Sequence, residues 1–168
     1  MKTNTTKASR YLILADGDFA PMTSKTANSI IRYLPDRVVA VLDRTQAGKT
    51  AEQILGFGGD IPVVASMREG LDRKPDAILI GIAPQGGKLP AAWHAWLVEA
   101  LDAGCDIVSG LHTFLGDDPV LAEHARAHGR TISDLRKPPA DLPVASGLAK
   151  EVDPLVVLAV GTDCNVGK

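Results

Sequence analysis

The sequence predicts an α/β fold of the Rossmann-like type, a doubly wound parallel sheet with helices on both faces. Apolar runs of four to six residues recur along the first part of the chain, as at residues 11–15 and 38–42. Runs of this length suit strands that are buried on both faces. Each run leads into a turn containing Gly, Pro or Asp and then into a segment with helical spacing, and this alternation is typical of parallel βαβ units.

Six strands can be placed in order from the apolar runs and the turn residues that bound them. They are predicted at residues 11–15, 38–42, 62–65, 77–82, 106–109 and 131–133. We interpret residues 8–137 as one Rossmann-like domain.

The helices in the first half are marked by apolar stripes and capping residues. Apolar residues at helical spacing predict a helix over about residues 23–34. Thr50 with Gln53, and Ser66 with Glu69, match the capping box, in which two side chains satisfy free N–H groups at a helix start. Two further short helices are therefore expected.

The helices in the second half have clear start and stop signals. Pro90 is expected to open one helix, and Gly104 stands where a left-handed residue ends it. Asp118 and Pro119 give an N-cap and a first-turn proline for the next helix, which should end at Gly129.

The last stretch predicts the start of a second domain. Residues 138–150 have the composition of a linker, and residues 151–168 are interpreted as the opening of a P-loop domain. An apolar strand at 155–160 would run into a glycine-bounded loop that ends in Gly-Lys, the layout of a phosphate-binding loop. The predicted phosphate-binding residues are Gly161, Thr162, Asp163, Asn165, Gly167 and Lys168.

The spacing of this loop departs from the common G-x-x-x-x-G-K-[ST] pattern. Five residues, not four, separate Gly161 from Gly167, yet the segment resembles the GTDT-x-VGK loop of dethiobiotin synthetase. The alternative is a strand followed by an ordinary glycine-rich turn and a surface lysine. Because the apolar run at 155–160 needs sheet neighbours, we expect the protein to continue past Lys168.

Composition narrows the class of protein. A net charge of −2 gives no support for nucleic-acid binding, which would require a basic face. Apolar runs stay far below the roughly 20 residues of a membrane span, and the polar N-terminus lacks the apolar core of a signal peptide. Two cysteines cannot build a disulfide framework, so a cytoplasmic protein is expected.

Candidate site residues follow the predicted strands, where doubly wound sheets bind ligands. The loop at 81–88 contains Gly81, Gly86 and Gly87 and could bring backbone N–H groups to a carboxylate or phosphate, or be a long surface turn. His112 is a candidate general base, or a structural histidine. The first βα loop lacks G-x-G-x-x-G, which argues against bound NAD.

His124 and His128 lie four residues apart on a predicted helix, the spacing of a metal-binding pair. The sequence shows no third ligand for them. We therefore interpret them as two solvated histidines and predict no metal site.

The whole chain resembles one family of two-domain proteins, DUF1611, which has an N-terminal Rossmann-like domain and a C-terminal P-loop domain. Characterised relatives in it are D-glutamate N-acetyltransferases. The matching segments are LDRTQAGKT at 42–50, GIAPQGG at 81–87, SGLH at 109–112 and GTDCNVGK at 161–168.

This resemblance implies a transferase that moves an acetyl group from acetyl-CoA to the amine of D-glutamate, a small amino-acid substrate. The residues are compatible with this activity: the P-loop could hold phosphates of acetyl-CoA, His112 is the candidate base, and N–H groups around Gly86 and Gly87 could bind the substrate. A homo-oligomer is expected. Two alternatives stay open: an ATP- and Mg-dependent kinase or ligase like dethiobiotin synthetase, and a non-catalytic ligand-sensing module.

Overall fold

The computed structural model describes residues 9–84, 89–142, 147–155, 157 and 160. The chain divides between Lys137 and Pro138 into two compact units. The first contains the sheet and its helices, and each unit is described by itself.

Six parallel strands form one sheet in the first unit, in the order β3-β2-β1-β4-β5-β6. This is the strand order of the doubly wound Rossmann fold, so the predicted fold class is confirmed. The strands are β1 (Tyr11–Leu14), β2 (Val38–Leu42), β3 (Val63–Val64), β4 (Ala77–Ile80), β5 (Asp106–Ser109) and β6 (Ile132–Asp134).

Among the described residues, five α-helices connect these strands: α1 (Lys25–Tyr33), α2 (Ala51–Leu55), α3 (Met67–Leu71), α4 (Ala91–Asp102) and α5 (Pro119–Ala127). Short 3₁₀ turns lie at Pro35–Arg37 and Leu115–Asp117. Helices α3, α4 and α5 pack side by side. At Gly58, side chains of α1 and α2 meet instead. This is expected for right-handed crossovers, because the helices move to the other face where the direction of strand addition reverses after β3.

The core lies between the central strands and the helices on either side. Leu12, Ile13 and Leu14 of β1 are fully buried, as is Ile78 of β4, because a central parallel strand has neighbours on both faces. Burying each such side chain contributes about 1.5–3 kcal/mol to folding. This core fixes the ends of the strands, where the candidate site residues lie.

The capping predictions are largely confirmed. Thr50 and Gln53 form a reciprocal capping box at the start of α2. At α3, the Ser66 side chain accepts the N–H of Glu69, but the Glu69 carboxylate accepts the N–H of Ala65. In a full capping box the Glu69 carboxylate would accept the N–H of Ser66. Here the flexible Glu69 side chain reaches one residue further, to Ala65.

The second unit contains a 3₁₀ turn at Leu148–Glu151. Leu155, Val157 and Val160 are exposed, and no strand is found among the residues of this unit that the structure describes. The rest of the predicted strand at 155–160 and the whole predicted phosphate loop at 161–168 lie outside the described residues. Across the described part of the chain, no helix combines the length and apolarity needed to cross a bilayer.

Candidate functional site

The carboxyl ends of the six strands meet at one edge of the sheet, called the carboxyl edge below. Ligands of doubly wound folds bind at this edge, in the crevice where the strand order reverses. Here the reversal falls between β1 and β4. The crevice is therefore bordered by the loops that begin at Asp16 and Gly81, with the loop that begins at Gly110 one strand further along.

Asp16 and Arg44 form a two-pronged ion pair across the ends of β1 and β2. Nε and Nη2 of Arg44 donate to Oδ1 and Oδ2 of Asp16 at 3.0 and 2.7 Å. The Arg44 backbone N–H donates to Oδ1 at 2.9 Å. The Asp16 side chain is 7% exposed and that of Arg44 is 58% exposed, so the pair presents a cation, not a carboxylate, to solvent.

The electrostatics of this pair keep Asp16 ionised. The hydrogen bond from the Arg44 guanidinium holds the pKa of Asp16 below its ordinary value, and a hydrogen bond from Trp93 acts in the same direction. The guanidinium carbon of Arg44 also lies 5.1 Å from the centre of the Trp96 ring, a cation–π distance. The pair therefore connects the ends of two strands to helix α4.

Asp43 follows β2 and is fully buried. Its Oδ2 accepts the N–H of Phe19 at 2.9 Å, and its Oδ1 accepts the N–H and the hydroxyl of Thr45 at 2.8 and 2.7 Å. In dinucleotide-binding sheets an acid near this position holds a ribose hydroxyl. The Asp43 carboxylate instead joins two loops of its own chain, and this use does not fit a bound dinucleotide.

The first βα loop is tied down by its own polar side chains. The Ser24 hydroxyl accepts the N–H of Ala20 at 3.0 Å and lies 2.9 Å from Oδ1 of Asn28. The Asn28 amide donates to the carbonyls of Ala20 and Pro21, both at 3.1 Å. Phe19 in this loop is buried. The loop is therefore a packed, hydrogen-bonded turn, unlike the glycine-rich phosphate-binding loop of dinucleotide-binding Rossmann folds.

Gly81 lies at the carboxyl edge immediately after β4, because the strand predicted at 77–82 ends at Ile80. A Cβ atom at this position would lie 2.4 Å from Cγ2 of Ile13 and 3.0 Å from Cβ of Ala27. The Gly81 carbonyl accepts the N–H of Ala27 at 2.8 Å. Close packing of β4 against β1 and α1 thus explains this glycine, and its predicted role in substrate binding stays a prediction.

The other two glycines of the predicted substrate loop, Gly86 and Gly87, lie outside the described residues. Their predicted role also stays a prediction. Helix α4 begins shortly after them at Ala91, with Pro90 as its N-cap, so the loop joins β4 to a helix that starts at the carboxyl edge.

His112 is exposed in the loop that follows β5. This loop is anchored on both sides: the Ser109 hydroxyl accepts the N–H of Leu111 at 3.2 Å, and the Asp134 carboxylate accepts the N–H groups of Leu115 and Gly116 at 2.9 and 2.8 Å. The imidazole is therefore carried by a fixed loop and reaches solvent at the carboxyl edge.

Arg136 is a group at this edge that sequence reasoning missed. Its Nε donates to the Gly110 carbonyl at 2.6 Å, which brings a guanidinium to the loop of His112. The sequence places Arg136 next to the proline-rich linker, and only the pairing of β6 with β5 brings it to this loop.

Cys105 is not a nucleophile in this fold. The residue is buried, its thiol donates to the Pro75 carbonyl at 3.4 Å, and burial raises its pKa to about 11. Since the thiolate is the reactive form of cysteine, this thiol is inert at neutral pH.

The chain is similar to proteins of one family. A family model described as "Domain of unknown function (DUF1611_N) Rossmann-like domain" matches residues 44–138. A D-glutamate N-acetyltransferase from Tritonibacter scottomollicae is 35% identical over 159 residues, which cover 94% of this chain and 44% of that relative. A D-glutamate N-acetyltransferase from a Pseudoalteromonas species is 36% identical over 90 residues, or 54% of this chain and 26% of that relative. The chain thus spans less than half the length of these curated relatives.

Solved structures show the same similarity. The crystal structure of a DUF1611 family protein from Anabaena variabilis has a TM-score of 0.76 and 39% identity, over 86% of this chain and 42% of that one. An amine dehydrogenase from Mycobacterium smegmatis has a TM-score of 0.54 and 17% identity, over 77% and 39% of the two chains. The second likeness is one of fold alone.

Proposed function

The chain belongs to the DUF1611 family, and we propose that the whole protein is a D-glutamate N-acetyltransferase that uses acetyl-CoA. The observation that carries the proposal is the 35% identity with a protein of that name over 94% of this chain. The chain covers 44% of that relative, so the activity is proposed for the whole protein and not for these residues alone.

The chemistry requires a base and a held substrate. The D-glutamate ammonium loses a proton, and its nitrogen attacks the thioester carbonyl carbon of acetyl-CoA. The C–N bond forms, the nitrogen gives up its second proton, the C–S bond breaks, and the CoA thiolate leaves and takes up a proton. A positioned base and donors to the developing oxyanion are the groups that accelerate such a reaction.

We assign the role of base to His112. The assignment is supported by the position of His112 on an anchored loop at the carboxyl edge. The Arg136 guanidinium beside this loop is the type of group that recognises a carboxylate, and glutamate carries two. The N–H groups near Gly86 and Gly87 are proposed to hold the substrate. The loop from Gly161 to Lys168 is proposed to hold phosphates of acetyl-CoA.

The two alternatives have less support. ATP-dependent phosphorylation or ligation depends on the loop at 161–168, which lies outside the described residues, and the curated relatives are named as acetyltransferases. No observation favours a non-catalytic sensing module.

The test uses the product of the complete open reading frame. It is incubated with acetyl-CoA and a panel of D- and L-amino acids, and free CoA is measured with a thiol reagent. We expect CoA release with D-glutamate above that with the other amino acids. No release above background with any amino acid, together with ATP turnover, would replace the proposal with the ATP-dependent alternative.

The assignment of the base is tested separately. His112→Ala should lower kcat by about 10²- to 10⁴-fold, the usual contribution of a general base. Thr113→Ala is the matched control, since Thr113 is exposed in the same loop and should leave kcat unchanged. If His112→Ala retains the wild-type rate, the base is another residue. That result leaves the proposed acetyl transfer intact, because the assay of CoA release with D- and L-amino acids tests the transfer separately.

A further inference from the structure

A second group of polar side chains lies at the opposite edge of the sheet, where helices α4 and α5 end. Asp102 is the last residue of α4, and His124 and His128 lie at the C-terminal end of α5. Residues four apart share one face of a helix, and α4 and α5 pack against each other. The sequence shows no third ligand for the two histidines. The packing of α4 against α5 supplies one, because it brings the Asp102 carboxylate to face them.

The three side chains are close enough to share one ion. Oδ1 of Asp102 lies 2.6 Å from Nδ1 of His124 and 3.2 Å from Nε2 of His128. One ligand atom from each residue lies within 4.8 Å of the other two. In a tetrahedral zinc site with bonds of about 2.0–2.2 Å, neighbouring ligand atoms are roughly 3.4 Å apart. All three side chains are a third to a half exposed, so small rotations about their χ angles can bring them to these distances.

Other charged groups nearby are engaged elsewhere. Glu123 pairs with Arg126 on the surface of α5. Arg130 donates to the carbonyls of His128 and Gly104, not to the Asp102 carboxylate. Among the described residues, the ion-pair partners of Asp102 are the two imidazoles.

We propose that Asp102, His124 and His128 bind a divalent transition-metal ion, of which zinc suits the ligands best. Two imidazoles and one carboxylate are a known three-residue ligand set for zinc, with remaining positions filled by water. The ion lies between the carboxylate and the two imidazoles, each of which binds it through an unprotonated ring nitrogen. Because the ligands come from the last turns of two neighbouring helices, the bound ion joins α4 to α5 and stabilises the fold at the edge away from the carboxyl edge.

The experiment is a calorimetric titration of the full chain, without an oligohistidine tag, with zinc chloride. We expect saturable binding of one ion per chain and a rise in the midpoint temperature of thermal unfolding, because an ion that binds only the folded state stabilises it. Asp102→Asn, His124→Ala and His128→Ala should each weaken binding by at least about 10-fold. Circular dichroism without zinc checks that each variant is folded.

Two variants serve as matched controls. Glu99→Gln removes another exposed carboxylate from α4, and His112→Ala removes an exposed imidazole that follows β5 at the carboxyl edge. Both should bind zinc with wild-type affinity. Absence of saturable binding by the wild-type chain, or equal affinity in the three cluster variants and the controls, would overturn the proposal.

Discussion

At the scale of single residues, Asp43 shows how a buried carboxylate is used by its own chain. Both oxygens accept hydrogen bonds, from Phe19 in the first βα loop and from Thr45 in the second. The sequence places Asp43 after a strand. It cannot reveal that the Phe19 N–H is a hydrogen-bond donor to this carboxylate, because Phe19 is 24 residues away along the chain. A buried carboxylate with donors on both oxygens is a structural group.

Asp43→Ala should lower the free energy of unfolding by about 2–4 kcal/mol, because it removes bonds to a charged acceptor and leaves the buried Phe19 N–H without a partner. Thr45→Val is the matched control, since it removes one donor and should cost about 1 kcal/mol. Urea unfolding of both variants measures the difference. A loss for Asp43→Ala no larger than for the control would contradict the structural role of this carboxylate.

The Asp16–Arg44 pair predicts a pH-dependent stability. Since the folded-state pKa of Asp16 is lowered, mainly by Arg44, the ionised pair stabilises the fold above the unfolded-state pKa of about 3.9. That contribution is lost as the pH falls through the folded-state pKa. Arg44→Met should therefore destabilise the protein at about pH 7, and the gap between variant and wild type should close as the pH falls below about 4.

The control for this prediction is Arg68→Met, because Arg68 is exposed on α3 and no ion pair joins it to another described residue. Its effect should be small at every pH. The difference in free energy of unfolding between the wild type and Arg44→Met is the quantity to follow. If it stays constant with pH, the pair contributes no pH-dependent stability.

At the scale of elements, the sequence predicts all six strands of the sheet, the approximate bounds of α1, α4 and α5, and the starts of α2 and α3. Local signals suffice for this: a capping box at Thr50, an Asp-Pro start at Asp118, and left-handed glycines at Gly104 and Gly129. Strand ends are less accurate. The predicted strand at 77–82 stops at Ile80, since the position of each strand end depends on the neighbouring strand and not on the apolar run.

Gly81 gives a test of element packing at the crevice. Gly81→Ala should lower the free energy of unfolding by about 1–3 kcal/mol, because the new Cβ would meet Ile13 and Ala27 at 2.4 and 3.0 Å. Gly110→Ala is the control at the end of β5, where no described atom lies within 4 Å of the Cβ position. Chemical denaturation without any ligand compares the two. Equal free energies of unfolding for the two variants would show that close packing is not the reason for a glycine at position 81.

At the scale of the whole molecule, the fold follows from sequence more readily than the site does. Apolar alternation is a local pattern and predicts the parallel sheet. The site depends on pairs that are distant in sequence, such as Asp16 with Arg44 and Arg136 with Gly110, and no local pattern reveals them. The predicted residues in loops 85–88 and 161–168 lie outside the described residues, so their roles stay predictions.

The most direct measurement follows an isotopically labelled acetyl group from acetyl-CoA in the presence of the whole protein and D-glutamate. We predict labelled N-acetyl-D-glutamate, identified by mass spectrometry, in one-to-one proportion to the free CoA released, and much less product with L-glutamate. If the label stays on acetyl-CoA with every amino acid supplied, while the protein is folded and binds the cofactor, the proposed acetyl transfer is wrong.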